Sequence, residues 1–315
     1  MAPDMAVTVG GLAMRNPFTV ASGTFGSGRE YAALWASRPE LVCPIPGKPL
    51  SCLGALTTKG VSPQPWAGND GCRMAETASG VLNAIGLQNP GVEDFCAHDL
   101  GWLADQGTPV IVNVCGHSLD QYVQVVERLE ESPAAAYEIN ISCPNVDCGG
   151  LSFGVDPKLA AKVVAACRAA TRRPLIVKLT PNVTAIADIA RAAAEAGADA
   201  LSLINTVAGL AVDVRRRRLV FDRGVAGLSG PAVKPIALHA VHRVHQAVAL
   251  PLIGLGGIAC LDDVLEFLLA GATAVGVGTA NFTDPVIVPR LVGELERWCL
   301  DNGVKAVGEL TGAAG

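Results

Sequence analysis

The sequence predicts an α/β chain folded as a (β/α)8 barrel, one domain over residues 1–315. Three observations predict it. From Pro109 onward, short apolar runs alternate regularly with alanine-rich or amphipathic stretches of helical length, the pattern of parallel βαβ units. Two helix-to-strand junctions repeat almost verbatim, Ala196-Gly-Ala-Asp-Ala200 and Ala270-Gly-Ala-Thr-Ala274. Eight apolar runs can be counted, and 315 residues leave room for a barrel, which takes about 250.

In chain order, Phe18–Ser22 predicts the first strand, with Gly23, Gly26 and Gly28 loosening the chain before a helix near Glu30–Ala36. Arg38–Cys52, rich in proline, predicts an irregular surface insertion. Ala55–Thr58 is the second strand and delivers Lys59 at its end. The stretch with Pro63, Pro65 and Asn69-Asp-Gly71 suggests a hairpin excursion before Gly80–Gly91. Val110–Val114 is the third strand and Leu119–Glu131 a helix. Tyr137–Ser142, alternating Ile139 and Ile141 with Asn140 and Ser142, is the fourth strand, stopped by Pro144. Asp156-Pro157 reads as an N-cap with proline at N1, opening a helix over Lys158–Ala170. Leu175–Leu179, Leu201–Ile204, Leu252–Leu255 and Ala274–Val277 complete the strands. Helices are expected over Thr184–Ala196, Pro231–Val248 and Asp262–Ala270.

Composition narrows the function classes. A net charge of −5 argues against a nucleic-acid surface. The one basic run, Arg215–Arg218, reads as a solvated loop or strand edge. Ten cysteines scattered without a CxxC pair point to a reducing compartment and no structural zinc. No signal peptide is evident, and the longest uncharged apolar run, Ala247–Leu261, is broken by Pro251 and three glycines. A soluble cytoplasmic protein with no membrane or metal partner is expected.

In a barrel the chemistry sits at the C-terminal strand ends. Two glycine clusters fall there, Gly254-Leu-Gly256-Gly257 and Gly276-Val-Gly278-Thr279, where barrels build phosphate sites from backbone N–H groups. They predict a phosphate-bearing ligand but do not separate a flavin mononucleotide from a sugar phosphate. Lys59 and Lys178 are lone charges in apolar strands, with no acidic residue evident among the strand ends. An ammonium there needs an anion or an electron-rich heteroatom, so a ligand is the expected partner, for Lys178 the ring system of a cofactor that turns anionic on reduction. Asn83, Asn113, Asn140, Asn145 and Asn205 accumulate at strand ends or just beyond. Asparagine is poor in strands, and its amide suits the N–H and C=O edge of a pyrimidine-dione. Cys143, at the end of the fourth strand between Asn140 and Asn145, is a candidate proton acceptor, against the alternative of a small buried hydrophobe. His239, His242 and His245 lie at spacing three on an expected helix and read as a helix face. No GxGxxG stands in a strand–turn–helix setting.

Four motifs carry a resemblance. Ala21-Ser-Gly-Thr-Phe-Gly-Ser-Gly-Arg-Glu-Tyr31, Asn83-Ala-Ile-Gly-Leu-Gln-Asn-Pro-Gly91, Asn140-Ile-Ser-Cys-Pro-Asn145 and Leu228-Ser-Gly-Pro231 together resemble the dihydroorotate dehydrogenases. Within them the chain is most similar to the catalytic subunits of the class I, NAD-linked, cysteine-base subgroup. The resemblance implies FMN, one per chain, and oxidation of dihydroorotate to orotate in pyrimidine synthesis. It implies Cys143 as the base. It implies that Lys59, Asn83, Asn140, Asn145, Asn205 and Thr206 hold substrate, and that Ser22, Lys59, Asn113, Asn140, Lys178, Gly230, Gly256, Gly257, Gly278 and Thr279 contact the flavin. It further implies an electron-transfer partner carrying FAD and an iron–sulfur cluster, around a homodimer core within a heterotetramer. A dihydropyrimidine dehydrogenase-type flavin barrel and a fumarate-linked oxidation are the alternatives. Two departures stand out: the length of Arg38–Cys52, and Ala226 where glycine is more usual.

Overall fold

The computed structural model describes residues 2–38, 41, 43–142 and 152–315. Cys143, Asn145 and part of the 38–52 insertion therefore lie outside the described residues.

Eight parallel strands form the predicted barrel. In spatial order they run Phe18–Val20, Ala274–Val277, Leu252–Leu255, Ala200–Leu203, Leu175–Lys178, Ala136–Asn140, Val110–Val114 and Leu56–Thr57. The ring closes where the Phe18 carbonyl accepts from the backbone N–H groups of Gly54 (2.9 Å) and Ala55 (3.2 Å). A Cβ on Gly54 would stand 1.9 Å from the Asn16 carbonyl oxygen, so only glycine allows this approach. Inside the closed ring, Thr19 and Thr57 share a hydroxyl hydrogen bond of 2.9 Å. The strands are buried on both faces, as a parallel sheet jacketed by helices must be.

The helices form for reasons visible in the chain. In Leu119–Leu129 the residues Tyr122, Val125, Val126 and Leu129 recur on one face and are buried. Pro157–Ala170 starts at Asp156, whose side chain accepts from the N–H groups of Lys158 (2.8 Å) and Leu159 (2.9 Å). The two near-identical junctions fold identically. Gly197 and Gly271 take φ values of 104° and 118° after Ile186–Glu195 and Leu261–Leu269. Ala198 N–H reaches back to the Ala193 carbonyl and Ala272 N–H to that of Phe267, a Schellman closure each time.

Several elements depart from expectation. The long 231–248 helix resolves into a 3-10 turn, Pro231–Val233, and a helix, Lys234–His245. A C-terminal helix, Ile287–Asp301, packs Ile287, Val288, Leu291, Leu295 and Cys299 onto the core. The insertion is not wholly a surface feature: its end forms a 3-10 turn, Pro49–Cys52, with Leu50, Ser51 and Cys52 buried. The hairpin lies later than the Pro63–Gly71 stretch that suggested it: Met74–Thr77 pairs with Gly80–Asn83, in a four-stranded antiparallel sheet ordered Val207–Gly209, Ala226–Ser229, Gly80–Asn83 and Met74–Thr77. Leu82, Phe221 and Ala226 make a small core of its own there, so the methyl group of Ala226, where glycine was expected, fills space. Arg218–Leu219 pairs with Val212–Asp213 in an exposed ribbon, the strand edge expected of the basic run. No helix among the described residues is long and apolar enough to cross a membrane.

Candidate active site

The C-terminal ends of the barrel strands and the antiparallel sheet enclose one cavity of about 910 Å³. Every candidate residue that is described lines it: Ser22, Lys59, Asn83, Asn113, Asn140, Lys178, Asn205, Thr206, Gly230, Gly256, Gly257, Gly278 and Thr279. Ser142, the chain neighbour of Cys143, lines it too.

The glycine-rich corner is formed by backbone. Gly256 and Gly257 take φ values of 125° and 85°, a region that disfavours any side chain. A Cβ on Gly257 would meet the Lys234 Cβ at 2.8 Å and the Gly230 oxygen at 3.0 Å. Glycine is thus required here by the protein's own packing, besides any ligand. The following loop is fixed by Asp263, whose carboxylate accepts from the N–H groups of Ala259 (2.7 Å) and Cys260 (3.0 Å). Lys234 pairs with Asp263 and Glu266, which hold its ammonium well above the usual lysine range, so its charge is engaged beside the loop. Thr279 donates to Ser229 (2.8 Å), joining the last barrel strand to the antiparallel sheet.

The motif 21–31 explains itself in part by packing. Phe25 and Tyr31 stack at 3.9 Å, Trp35 packs against both rings, and the Tyr31 hydroxyl donates to the Thr24 carbonyl. This cluster sets the loop that presents Ser22 and Gly23 to the cavity.

The asparagines come from different elements. Asn113 and Asn140 sit on barrel strands, and Asn205 follows Ala200–Leu203. Asn83 arrives from the covering sheet, held by a hydrogen bond from its amide to the Gly227 carbonyl (3.1 Å). Asn140 Oδ1 accepts from the Ser142 N–H (3.2 Å) and from the Asn205 amide (3.4 Å). Asn113 Oδ1 and Ser142 Oγ are buried with no partner among the described residues.

The two lysines differ, which corrects one expectation. Lys178 is 5% exposed and does have an acidic neighbour: its Nζ lies 3.8 Å from Glu138 Oε2 and 3.3 Å from Ser22 Oγ. Glu138 is interior to the fourth strand, so a search confined to strand ends passed over it. Lys59 makes no ion pair with any described residue, and burial pushes its ammonium below the usual lysine range, slightly countered by the Cys115 thiol. Of the two, Lys59 is the one with no acidic partner among the described residues.

Sequence reasoning also missed Thr180, Asn182, Ser152 and Ser229, all of which line the cavity. Thr180 directly follows the strand Leu175–Lys178 and its companion Leu179, so the strand-end rule could have found it. Ser229 lies on the antiparallel sheet, where no barrel periodicity marks it. None of the three helix histidines lines the cavity, and His239 is exposed.

The chain is similar to known proteins over nearly its whole length. Residues 4–299 match the family model described as dihydroorotate dehydrogenase. The chain is 51% identical over 314 residues to the "Dihydroorotate dehydrogenase B (NAD(+)), catalytic subunit" of Pelobacter propionicus, covering 99% of each chain. It is 52% identical over 312 residues to the like-named protein of Geobacter sulfurreducens, covering 99% of this chain and 98% of that one. Among solved structures, it resembles DHODH from Eimeria tenella, in complex with ferulenol, with TM-score 0.79 and 20% identity over 98% of this chain and 88% of that one. That likeness concerns the fold alone.

Proposed function

This chain belongs to the dihydroorotate dehydrogenase family, and we propose that it is the catalytic subunit of an NAD-linked member. It oxidises dihydroorotate to orotate for pyrimidine synthesis. One observation carries the assignment: residues implicated in substrate and cofactor binding, scattered from Ser22 to Thr279, converge on a single cavity.

The cavity fits FMN on three counts. Its volume of about 910 Å³ suits a nucleotide plus a small planar substrate. The Gly256-Gly257 and Gly278-Thr279 corners offer backbone N–H groups to a phosphate. Asn113 Oδ1 is a buried acceptor awaiting a donor. When bound, FMN supplies the two-electron acceptor that takes hydride from C6 of dihydroorotate. Ser22, Asn113, Lys178, Gly230, Gly256, Gly257, Gly278 and Thr279 hold it.

The chain's own residues do the rest. Cys143, by family resemblance, removes the C5 proton, so that loss of one proton and one hydride leaves the C5=C6 double bond of orotate. Lys59 faces the substrate carboxylate, an anion that offsets the cost of its partly buried ammonium. Asn83, Asn140, Asn145, Asn205 and Thr206 hold the pyrimidine edge, each amide donating and accepting. Asn140 and Lys59 also border the flavin. The antiparallel sheet lines this cavity from the side opposite the barrel strand ends.

The sequence carries no dinucleotide fingerprint, and the glycine-rich corner is assigned to FMN, so electrons leave to a separate subunit, to which the family resemblance gives FAD and an iron–sulfur cluster. Two catalytic chains form the core of the heterotetramer, in the cytoplasm. The test is stopped-flow reduction of the purified chain with dihydroorotate, alone and with its candidate partner subunit. Dye reduction alone and NAD reduction only with the partner are expected. Rapid NAD reduction by the chain alone, or equally good use of fumarate, would refute the two-subunit reading.

A further inference from the structure

Beneath the cavity floor lies a buried polar group that the proposed chemistry does not use. Glu138 is 2% exposed, halfway along the fourth strand. Its Oε1 accepts from Ser202 Oγ (2.7 Å), and its Oε2 accepts from Asn113 Nδ2 and lies 3.8 Å from Lys178 Nζ. Three strands, Val110–Val114, Leu175–Lys178 and Ala200–Leu203, thus send one polar side chain each to this carboxylate.

A carboxylate can only accept hydrogen bonds, so it dictates which end of the Asn113 amide faces it. One N–H of the NH2 group is taken, and Oδ1, buried and without a partner among the described residues, is the end left for the cavity that Asn113 lines. The same carboxylate offsets part of the Lys178 charge in a low-dielectric interior.

We propose that Glu138 is a positioning residue that fixes Asn113 as an acceptor and moderates the Lys178 cation, so tuning the reduction potential of the flavin. This rests on the flavin-dependent reading above. Asn113 then demands a donor from its ligand, and Lys178 stabilises an anionic reduced ring less than a lone lysine would.

Two substitutions separate the effects. In Glu138→Gln the amide can still accept from Asn113 with its oxygen and donate to Ser202 with its nitrogen, so only the charge goes. Its bound flavin should show a midpoint potential raised by about 30 mV or more, a tenfold change for a two-electron couple, with FMN affinity within about threefold of wild type. Glu138→Leu also frees the Asn113 amide and should weaken FMN binding about tenfold or more, measured by titrating FMN into apoprotein. The pair Lys178→Met and Lys178→Met/Glu138→Gln decides the matter should Glu138→Gln alone not fold. The single variant should have the lower potential, because its carboxylate has lost its counter-charge. An unchanged potential in Glu138→Gln, or equal potentials in the Lys178→Met pair, overturns the charge role. Wild-type FMN affinity in folded Glu138→Leu overturns the positioning of Asn113. A wild-type chain that binds no flavin would instead refute the functional reading itself.

Discussion

Lys59 gives the sharpest quantitative prediction, because burial depresses its pKa and no described carboxylate pairs with it. Replacing it by methionine keeps the length of the stem and removes the charge. A hydrogen bond to a charged partner contributes about 1.5–3 kcal/mol, so orotate should bind the variant roughly 10- to 150-fold more weakly. The sign of the pH dependence follows from linkage. Below the depressed pKa the lysine is charged in both folded and unfolded states, and its desolvation cost is fully present. As pH rises from the folded pKa toward the unfolded value, the native state releases its proton first, so the unfolded state binds more protons and stability increases. Orotate opposes this by favouring the charged form, so its affinity should fall as pH rises through the same window. Orotate titrations followed by flavin absorbance, from neutral pH to pH ~10, test both. Subtracting the Lys59→Met profile removes the ligand's own titration. Orotate affinity within threefold of wild type in the variant, with an unaltered pH profile, would refute the placement of Lys59 on the substrate.

Three further outcomes are expected. Cys143→Ala should bind FMN and orotate yet lose flavin reduction by dihydroorotate; in the wild type that reduction should accelerate as pH approaches the ordinary thiol pKa of ~8.5. An undiminished alanine variant would exclude the cysteine base. Gly278→Val should release FMN from a folded barrel, since its Cβ would meet only Ala21 at 3.2 Å and Thr24 at 3.9 Å; full flavin occupancy would remove the phosphate assignment. Gly257 is the poorer probe, because any side chain there clashes with Lys234 whether or not a ligand binds. Lys178→Ala should slow flavin reduction more than it weakens orotate binding, at a stability cost of about 3–5 kcal/mol from stranding Glu138, seen as a lowered Tm. Weaker orotate binding with unchanged reduction would move this lysine to the substrate.

The sequence by itself determined the barrel, because a parallel strand buried on both faces must be a short apolar run and the helix between two such strands must close with a turn. The repeated Ala-Gly-Ala junctions are where this is most legible: glycine is needed for the left-handed closure at 197 and 271, so the chemistry of the turn is written in the chain. The strand-end rule likewise brought Lys59, Asn113, Lys178, Asn205 and Thr279 to one cavity, since parallel strands share a single C-terminal face. Tertiary structure alone decided the rest. The covering sheet joins Gly80–Asn83 to Ala226–Ser229 across more than a hundred residues, a pairing with no local signal, and it is what carries Asn83 over the site. Glu138 was hidden for a related reason. Alternation along one strand shows that a residue faces inward, but only closure of the ring reveals that Asn113, Lys178 and Ser202 meet it there.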